Sequence, residues 1–398
     1  MSNCRVCRAP VHEFFDFGRH PLSQAFITPE QVGDEFFYRL AIGACESCGM
    51  VQLLEEIPPE QLFHKGYPYH SSNSTVMRAH FEETARRFLA DRLTGPDPFM
   101  VEIGCNDGVT LQTVRDAGVR HLAFEPTGVG GVRTHGAFFD AESAAEVRAS
   151  DGPADVIYAA NTICDIPDIG AVIAGADALL SPQGVLVFED PYFGEIIGRT
   201  SFDQIYDEHF YFFTVGSVRS MARHFGFELL DAEWLPVHGG QIRYTLGRAG
   251  SAPVTPAVAR LLAAEENDRL TDPSTLAAFA DRVTRIRTDL RELLERLAAD
   301  GKRVAGYGAT AKSSTVTNYC GIGPDLVPFV CDTTPSKHGK VTPGAHIPVR
   351  PPAAFSDDYP DYALLFAWNH AEEIMAKEEA FRAAGGKWII YVPEVHIV

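Results

Sequence analysis

Apolar runs alternate with amphipathic segments along most of the chain, and this alternation predicts an α/β fold. The apolar runs that read as strands occupy residues 99–105, 121–126, 155–164 and 184–192. The segments with helical spacing between them occupy residues 109–118 and 171–180. Strands connected by helices form a parallel sheet with helices on both faces. The first half of the chain therefore predicts a Rossmann-like sheet.

A second α/β unit is predicted in the C-terminal part of the chain. Its strands are expected at residues 302–308, 326–332, 362–368 and 387–393, with a helix over 309–321. Residues 253–300 have mostly helical spacing, which is typical of a bridge between domains. Residues 74–93 predict one more amphipathic helix, whose apolar face contains Met77, Phe81, Phe88 and Leu89.

The length of the chain, 398 residues, exceeds that of one ordinary domain, since a domain takes about 150 residues. The pattern of predicted elements divides it into four parts. They are an N-terminal module (1–70), a first α/β domain (71–250), a helical bridge (251–300) and a C-terminal Rossmann-like α/β domain (301–398).

The formal net charge of −19 argues against a protein that follows the phosphates of nucleic acids. No apolar run approaches the roughly 18 residues that a membrane helix needs, and the first residues contain no apolar core of a signal peptide. We therefore expect a cytoplasmic monomer with no nucleic-acid or membrane partner. A single phosphorylated small ligand stays compatible with this charge, because a helix N-terminus and a few basic residues suffice to hold it.

Four of the eight cysteines form two C-x-x-C pairs, Cys4 with Cys7 and Cys45 with Cys48. Each pair directs two thiolates at one centre, and two pairs complete a tetrahedron around zinc. Four thiolates leave no open position, so such a zinc ion is structural. A disulfide pair or a redox motif is the alternative, and the absence of a secretion signal disfavours disulfides.

The turn VEIGCNDG, residues 101–108, has the form E-x-G-x-x-x-G between an apolar strand and a helix. Its glycines let the backbone approach a ligand, and Glu125 after the next strand is placed to accept the hydroxyls of a ribose. A dinucleotide and S-adenosylmethionine both fit, and the missing second glycine favours S-adenosylmethionine. A purely structural turn is the alternative. The predicted cofactor-binding residues are Glu102, Gly104, Asn106, Asp107, Gly108, Glu125, Pro126, Ala160 and Asn161.

The segment after Glu125 is unusual for a cofactor site of this kind. Residues 127–139 contain four glycines and leave little room for the usual helix between the second and third strands. No acid stands at the usual place near the adenine amino group, so Asp140 is the candidate replacement.

Acidic, phenolic and imidazole side chains stand among aromatic ones in SFDQIYDEHFYFFT, residues 201–214. Aromatic surroundings desolvate charges and shift pKa values, which suits acid–base catalysis. His209, with Glu208 and Tyr206 nearby, is a candidate base with an orienting partner. An amphipathic segment whose polar side faces water is the alternative.

Two further segments contain candidate ligand contacts. In PVHGGQIRYTL, His238 and Gly239 precede a predicted strand that carries Arg243, and the glycines suggest close approach to a substrate. A plain bulge before a strand explains this pattern equally well. In YPYHSS, Tyr67 or Tyr69 is placed to enter a cleft as a catalytic residue, and hinge packing is the alternative.

A second strand, glycine turn and helix occur in VAGYGATAKSSTV, residues 304–316. Its turn is neither a P-loop nor a complete dinucleotide motif. Lys312 and Ser313 stand near the start of the helix, where backbone N–H groups and the helix dipole favour a phosphate. The unit indicates a site for the diphosphate of a nucleotide sugar or a vestigial repeat of the first unit. The candidate substrate-binding residues here are Tyr307, Thr310, Lys312 and Ser313.

Taken together, these motifs resemble the deoxysugar C-methyltransferases of antibiotic pathways. The shared segments, in the same order, are the paired C-x-x-C motifs, VEIGCNDG, DVIYAANTIC, FDQIYDEHF, PVHGG, GYGATAKSSTVTNYCGIGPDL, DTTPSKHGKVTPGAHIPV and FAWNH. The resemblance covers essentially the whole chain. It implies a class I, Rossmann-like S-adenosylmethionine methyltransferase domain between a zinc-binding module and a C-terminal domain that helps to bind a nucleotide sugar.

The resemblance also implies a reaction. Members of this family methylate a carbon beside the C-4 ketone of a dTDP-linked deoxysugar, and C-3 is the expected position here. A base removes the proton next to the ketone, and the resulting enolate takes the methyl group of S-adenosylmethionine. By resemblance His209 is that base, with Tyr206 and Glu208 beside it.

One position departs from the family pattern. The family reads C-H-I-P after the third strand, whereas this chain reads CDIP, with Asp165 at the place of the active-site histidine. A carboxylate still accepts a proton or holds a hydroxyl, but it is not a cationic donor to an enolate. Methylation of a sugar oxygen or nitrogen, and a cofactor-binding homologue without catalysis, are the alternatives.

Overall fold

The structure is a computed structural model that describes residues 2–62, 74–126 and 131–398. Its strands form sheets of four, seven and six strands. The predicted α/β class with parallel sheets is confirmed. No helix in these three ranges is long and apolar enough to cross a membrane.

The N-terminal region is built around a long antiparallel hairpin. Its elements are β1 (Val11–Pro21), β2 (Phe37–Cys45), β3 (Val51–Leu53) and the short helix α1 (Pro59–Leu62). β1 pairs with β2 from Val11 opposite Cys45 to Pro21 opposite Phe37. Both long strands carry apolar side chains that are buried against the rest of the protein.

The middle of the chain contains the seven-stranded sheet. In chain order its elements are α2 (Thr75–Asp91), β4 (Phe99–Ile103), α3 (Val109–Asp116), β5 (Arg120–Phe124), β6 (Thr134–His135), α4 (Ala141–Asp151), β7 (Ala154–Ala160), α5 (Ile169–Leu179), β8 (Leu180–Pro191), α6 (Phe193–Arg199), β9 (Tyr211–Phe212), α7 (Val215–His224), β10 (Phe227–Leu235) and β11 (Gln241–Arg248). The strand order is β10-β11-β8-β7-β4-β5-β6. The strands from β8 to β6 are parallel, and β10 and β11 form an antiparallel edge. The carboxyl ends of parallel strands meet at one edge, where such sheets bind ligands.

One expectation about this sheet is wrong. The segment 127–139 was expected to leave little room for a helix between the second and third strands. The structure has the helix α4 there, because α4 begins only after this segment, at Ala141, with Asp140 as its N-cap.

The C-terminal part contains the two bridging helices and the six-stranded sheet. Its elements are α8 (Pro256–Asp268), α9 (Pro273–Ala299), β12 (Val304–Tyr307), α10 (Ala311–Cys320), β13 (Val330–Cys331), β14 (Val349–Arg350), α11 (Ala353–Ser356), β15 (Tyr362–Leu365), α12 (Ala371–Lys377), α13 (Glu379–Ala383), β16 (Lys387–Ile390) and β17 (His396–Ile397). The strand order is β14-β13-β12-β15-β16-β17, and only β17 is antiparallel to its neighbour. Every predicted strand is present but shorter, because only part of each apolar run pairs with a neighbouring strand.

The N-terminal hairpin is joined directly to the middle of the chain. β3 pairs with β9, with Val51 opposite Phe212, so that β9 completes the four-stranded sheet. The hairpin also meets the C-terminal part, where Glu35 accepts a hydrogen bond from the N–H of Gly344 at 2.7 Å. The parts predicted from the sequence are therefore held together by β-pairing and hydrogen bonds.

Candidate active site

A large cavity lies between the carboxyl edge of the seven-stranded sheet and the C-terminal sheet. Its volume is about 760 Å³, within the roughly 300–1,000 Å³ range of small-molecule sites. The turn after β4 lines it from one sheet, and the turn after β12 lines it from the other. The turn before β9 contributes Tyr206, Glu208 and His209.

Most of the residues predicted from the sequence line this cavity. They are Glu102, Gly104, Asn106, Asp107, Glu125, Pro126, Ala160, Asn161, Asp165, Tyr206, Glu208, His209, His238, Tyr307, Thr310 and Lys312. Those that do not line it are Gly108, Gly239, Arg243 and Ser313. Tyr67 and Tyr69 lie outside the described residues.

The turn after β4 has a backbone that only glycine adopts easily. Gly104 has a φ of +67°, and a Cβ at this position would lie 2.6 Å from Oγ1 of Thr162. The N–H of Asn106 donates to Oε2 of Glu125 at 3.2 Å. The turn is therefore tied to the end of β5, with the Glu125 carboxyl at the place where a ribose is held in such folds.

Glu102 adds a buried carboxyl beneath this turn. It is only 4% exposed, and burial raises its pKa to about 8. Its Oε2 has no hydrogen-bond partner within the described residues. S-adenosylmethionine carries an ammonium group and a ribose, so the acids at positions 102 and 125 and the open backbone fit this cofactor.

Replacing Gly104 by Ala is expected to raise the Kd for S-adenosylmethionine by at least about tenfold, because the new Cβ would push Thr162 and the turn apart. Isothermal titration calorimetry measures this. Gly118→Ala is the matched control, since Gly118 also has a positive φ, +77°, but no atom lies within 4 Å of its Cβ. This control variant should lose only the ~1–2 kcal/mol of folding stability that a non-glycine residue costs at a left-handed position. It should bind the cofactor normally. Equal affinities in the two variants would count against this cofactor site.

Beyond Glu125, the cavity wall contains an aromatic ring that the sequence analysis missed. Phe138 lines the cavity and is 51% exposed, so its ring is available to stack on a ligand. Asp140, the candidate acid near adenine, lines the cavity beside Phe138 and also has a structural role. Its Oδ1 accepts the N–H of Ser143 at 2.9 Å and caps α4. The signal for Phe138 was an aromatic pair directly after a glycine-rich segment.

A tyrosine and a histidine form a hydrogen-bonded pair on the cavity wall. Nδ1 of His209 lies 2.8 Å from the carbonyl oxygen of Gln204, and Nε2 lies 2.9 Å from Oη of Tyr206. A carbonyl only accepts, so Nδ1 carries the proton and Tyr206 donates to Nε2. Burial lowers the pKa of His209 to about 3. The imidazole is therefore neutral, and its Nε2 has a lone pair to take a proton.

The N-terminal region holds this pair in place. The N–H of Leu53 donates to the carbonyl of Phe210 at 3.0 Å, and the N–H of Ser23 donates to Oδ1 of Asp207 at 2.9 Å. Phe202 and Phe210 are fully buried on either side of the polar residues. Buried aromatic side chains and Asp207 therefore anchor the turn, while Tyr206, Glu208 and His209 line the cavity.

The four cysteines of the N-terminal region form one cluster, and their sulfur atoms all lie within 4.8 Å of one another. The distance from Cys4 to Cys48 is 3.6 Å, and that from Cys7 to Cys45 is 3.5 Å. Ligands at ~2.3 Å from a tetrahedral zinc ion are about 3.8 Å apart, so the cluster fits zinc. A hydrogen bond from Cys48 lowers the pKa of Cys4 to about 5, which favours the thiolate that zinc requires.

Arg243, expected to bind the substrate, is used inside the protein. Its Nε donates to Oε1 of Glu189 at 2.7 Å, and another guanidinium nitrogen donates to Oγ1 of Thr84 at 2.7 Å. Glu189 also contacts Nε2 of His80 at 2.6 Å. This buried network links β8, β11 and α2. The predicted contact between Arg243 and the substrate is therefore replaced by an internal ion pair.

Gly239 and Ser313 also have structural roles beside the cavity. A Cβ on Gly239 would lie 2.9 Å from the indole of Trp368, so glycine allows the two sheets to approach here. The hydroxyl of Ser313 donates to the carbonyl of Thr310 at 2.5 Å. His238 does line the cavity, and burial together with the charge of Lys312 holds its pKa well below the usual value.

Lys312 is a cation on the C-terminal wall. Burial lowers the pKa of Lys312, and the nearby carboxyl of Asp203 opposes this shift by favouring the charged ammonium. Oδ2 of Asp203 accepts hydrogen bonds from Trp368 at 2.7 Å and from Tyr391 at 2.6 Å. Thr310 caps α10 and lines the cavity with Lys312, so the N-terminus of this helix faces the ligand space.

A second lysine on this wall was missed from the sequence. Lys337 lines the cavity, and its Nζ donates to the carbonyl of Ala309 at 2.8 Å while lying 4.7 Å from the ring centre of Phe26. The signal was the basic segment PSKHGK inside one of the long C-terminal motifs. Two lysines and a helix N-terminus therefore make this wall suitable for an anion.

Three family profiles match consecutive parts of the chain. They are described as "Putative zinc binding domain" (residues 4–63), "Methyltransferase domain" (77–232) and "C-methyltransferase C-terminal domain" (236–393). Among solved structures, a SAM-dependent methyltransferase of Anabaena variabilis is 17% identical, with a TM-score of 0.34, over 44% of this chain and 86% of its own. Magnesium protoporphyrin IX methyltransferase of Synechocystis is 12% identical, with a TM-score of 0.30, over 42% of this chain and 78% of its own.

A curated relative matches the whole chain. C-methyltransferase NovU of Streptomyces niveus is 35% identical over 100% of this chain and 97% of its own length. The predicted cofactors, S-adenosylmethionine and zinc, are confirmed by the matching families together with the four-cysteine cluster. The protein is an enzyme, and the chain belongs to the C-methyltransferase family.

Proposed function

We propose that the enzyme methylates a carbon next to the C-4 ketone of a dTDP-linked 4-keto-deoxysugar, with C-3 as the expected carbon, in an antibiotic pathway. One observation carries the proposal. The His209–Tyr206 pair lines the same cavity as the cofactor turn after β4 and the basic wall at α10. A base, a methyl donor and an anion-binding wall are what C-methylation of a nucleotide sugar requires.

The chain contributes the proton transfer and the positioning. Nε2 of His209 accepts the proton of the carbon beside the ketone through Tyr206, which takes that proton while its own O–H proton passes to Nε2. The carbonyl of Gln204 holds Nδ1–H and favours the charge that the ring gains. S-adenosylmethionine, when bound, supplies an electrophilic methyl group. We infer that Glu102, Gly104 and Glu125 hold it beside the substrate.

We propose that the nucleotide part of the substrate binds along the C-terminal wall. Thr310 and Lys312 offer a hydroxyl and an ammonium at the N-terminus of α10, and Lys337 adds a second ammonium. A diphosphate is favoured by both the helix dipole and the two lysines. This placement supports the predicted domains, which are a zinc-binding module (1–70), a methyltransferase domain (71–250), a helical bridge (251–300) and a C-terminal domain that helps to bind the nucleotide sugar (301–398).

Replacing Lys312 by Met is expected to weaken the binding of dTDP by about tenfold to 100-fold, because one charge-assisted contact is worth about 1.5–3 kcal/mol. Isothermal titration calorimetry with dTDP measures this, and S-adenosylmethionine titrated into the same variant should bind normally. Lys302→Met, at an exposed position before β12, is the matched control. Unchanged dTDP affinity in the Lys312 variant would place the nucleotide elsewhere.

The proposed reaction is tested with S-adenosylmethionine carrying a carbon-13 methyl group and a dTDP-4-keto-6-deoxyhexose. We expect the product to show a one-bond carbon–carbon coupling between the new methyl group and a ring carbon next to C-4. A methyl signal without such a coupling would identify O- or N-methylation and overturn the proposal. Coupling to C-5 in place of C-3 would retain the chemistry and correct the position.

A further inference from the structure

Asp165 is a carboxyl residue on the cavity wall beside His209. It ends the short 3-10 turn Ile163–Asp165 that follows β7, and it lines the cavity. The side-chain ligand atoms of Cys164, Asp165 and His209 all lie within 4.8 Å of one another. The thiol of Cys164 donates to Oδ1 of Asp165 at 3.0 Å, which fixes the orientation of the carboxyl.

The groups that act on Asp165 are mostly acidic. Asp190 comes from β8, and Asp207 and Glu208 come from the turn before β9; all three are less than 5% exposed. Burial, then repulsion from Glu208 and Asp190, holds the pKa of Asp165 well above its usual value. The nearby histidine, His209, is neutral, and the ammonium of Lys337 acts on Glu208. Carboxyls crowded in this way cannot all ionise.

The side chains of Cys164, Asp165 and His209 could alternatively bind a metal ion. The hydrogen bonds of His209 argue against this. A metal ligand needs a free lone pair on the ring. Nδ1 of His209 carries the hydrogen donated to Gln204, and the Nε2 lone pair accepts the hydrogen of Tyr206. A proton on Asp165 fits these contacts without rearrangement.

We propose that Asp165 is a neutral carboxylic acid that donates a hydrogen bond to the ketone oxygen of the substrate while His209 and Tyr206 remove the proton from the neighbouring carbon. This inference rests on the proposed function. The oxygen and the neighbouring carbon of a ketone are about 2.4 Å apart. A ring nitrogen of His209 lies within 4.8 Å of a carboxyl oxygen of Asp165, so the acid and the base are close enough to act on one ketone and its neighbouring carbon.

The step balances without any further reactant. The C–H bond breaks, its proton passes to Oη of Tyr206, and the O–H proton of Tyr206 passes to Nε2 of His209, whose lone pair already accepts that hydrogen. The electron pair left behind forms the carbon–carbon double bond of the enolate, and the carbonyl electron pair moves onto oxygen. The O–H of Asp165 stabilises that oxygen by a hydrogen bond and keeps its proton. A neutral acid in a buried site can stabilise the enolate oxygen in this way, where a carboxylate would repel it.

The test is the rate of deuterium exchange beside the ketone of a dTDP-4-keto-6-deoxyhexose, measured by mass spectrometry across a pH series. For the wild type we expect the rate to fall as the pH rises, because Asp165 then loses the donated hydrogen. Asp165→Asn keeps a neutral donor, so its exchange rate should stay within about tenfold of the wild-type rate. That rate should no longer decrease as the pH rises. Asp165→Ala should lose about 100-fold at every pH. Asp289→Asn, on the exposed face of α9, is the control and should behave as the wild type.

Three results would overturn the inference while the wild type still exchanges and methylates. They are full activity in Asp165→Ala, an Asn variant as slow as the Ala variant, and a wild-type rate that rises with pH. The last two would indicate that Asp165 acts as a carboxylate base. A wild type that neither exchanges nor methylates any 4-keto sugar would instead overturn the proposed function, and the role of Asp165 with it.

Discussion

His209→Asn is expected to lose methyl transfer and deuterium exchange by about 100-fold to 10,000-fold, the usual contribution of a positioned base. Asn has no basic nitrogen to accept the proton that Nε2 takes, and it breaks the contact with Tyr206 at 2.9 Å. Because the pKa of His209 is lowered to about 3, its imidazole is already neutral above that pH. Titration of His209 should therefore not reduce the wild-type rate between pH 8 and pH 5. Initial rates over this range measure both effects.

The control for this variant is His224→Asn, at the exposed end of α7 and away from the cavity. It should keep the wild-type rate, and both variants should bind S-adenosylmethionine with the wild-type Kd. Exchange at the wild-type rate in His209→Asn would contradict the role of the imidazole and would move the base to Tyr206 or Asp165.

Loss of zinc is expected to lower the melting temperature by at least about 10 °C, since each kcal/mol shifts it by about 2–4 °C in a large domain and structural zinc contributes several kcal/mol. The structure adds a second consequence, the loss of proton exchange. β3 lies directly after the zinc cluster and pairs with β9, which begins two residues beyond the base. The test is the Cys45→Ser variant. Metal analysis measures its zinc content, calorimetry its melting temperature, and the exchange assay its rate of proton exchange.

Cys320→Ala is the control for the zinc variant. Cys320 is buried, as Cys45 is, but it lies on α10, and its replacement should keep both the zinc content and the exchange rate. A zinc-free Cys45 variant with unchanged melting would refute the structural role of the metal. A variant that melts early but exchanges protons normally would show that β3 is not needed to hold the base.

The sequence predicted the features that depend on local residue types. The C-x-x-C spacing, the glycine turn after β4 and the aromatic segment around His209 each have a local reason to be where they are. In the structure, residues of the glycine turn and of the segment around His209 line the cavity, and the four cysteines form one cluster. The family resemblance added the reaction, which no spacing alone implies.

The missed features depend on residues that are distant in the chain. Arg243 is a plausible ligand contact until Glu189, 54 residues earlier, is brought to 2.7 Å by the pairing of β11 with β8. Lys337 becomes part of the cavity only when its ammonium reaches Ala309. Likewise, nothing local indicates that β3 pairs with β9 beside the base. Such contacts follow from sheet order, which the pattern of apolar residues does not determine.

The most direct test of the account is mass spectrometry of the protein with S-adenosylmethionine and a dTDP-4-keto-6-deoxyhexose in deuterated water. We predict a product heavier by one methylene group, and deuterium next to the ketone in the unreacted sugar. Both signals follow if a base in this cavity removes that proton before methylation. A methylated product, with no deuterium beside the ketone in the unreacted sugar or in the product, would contradict the central claim that His209 generates a carbon nucleophile.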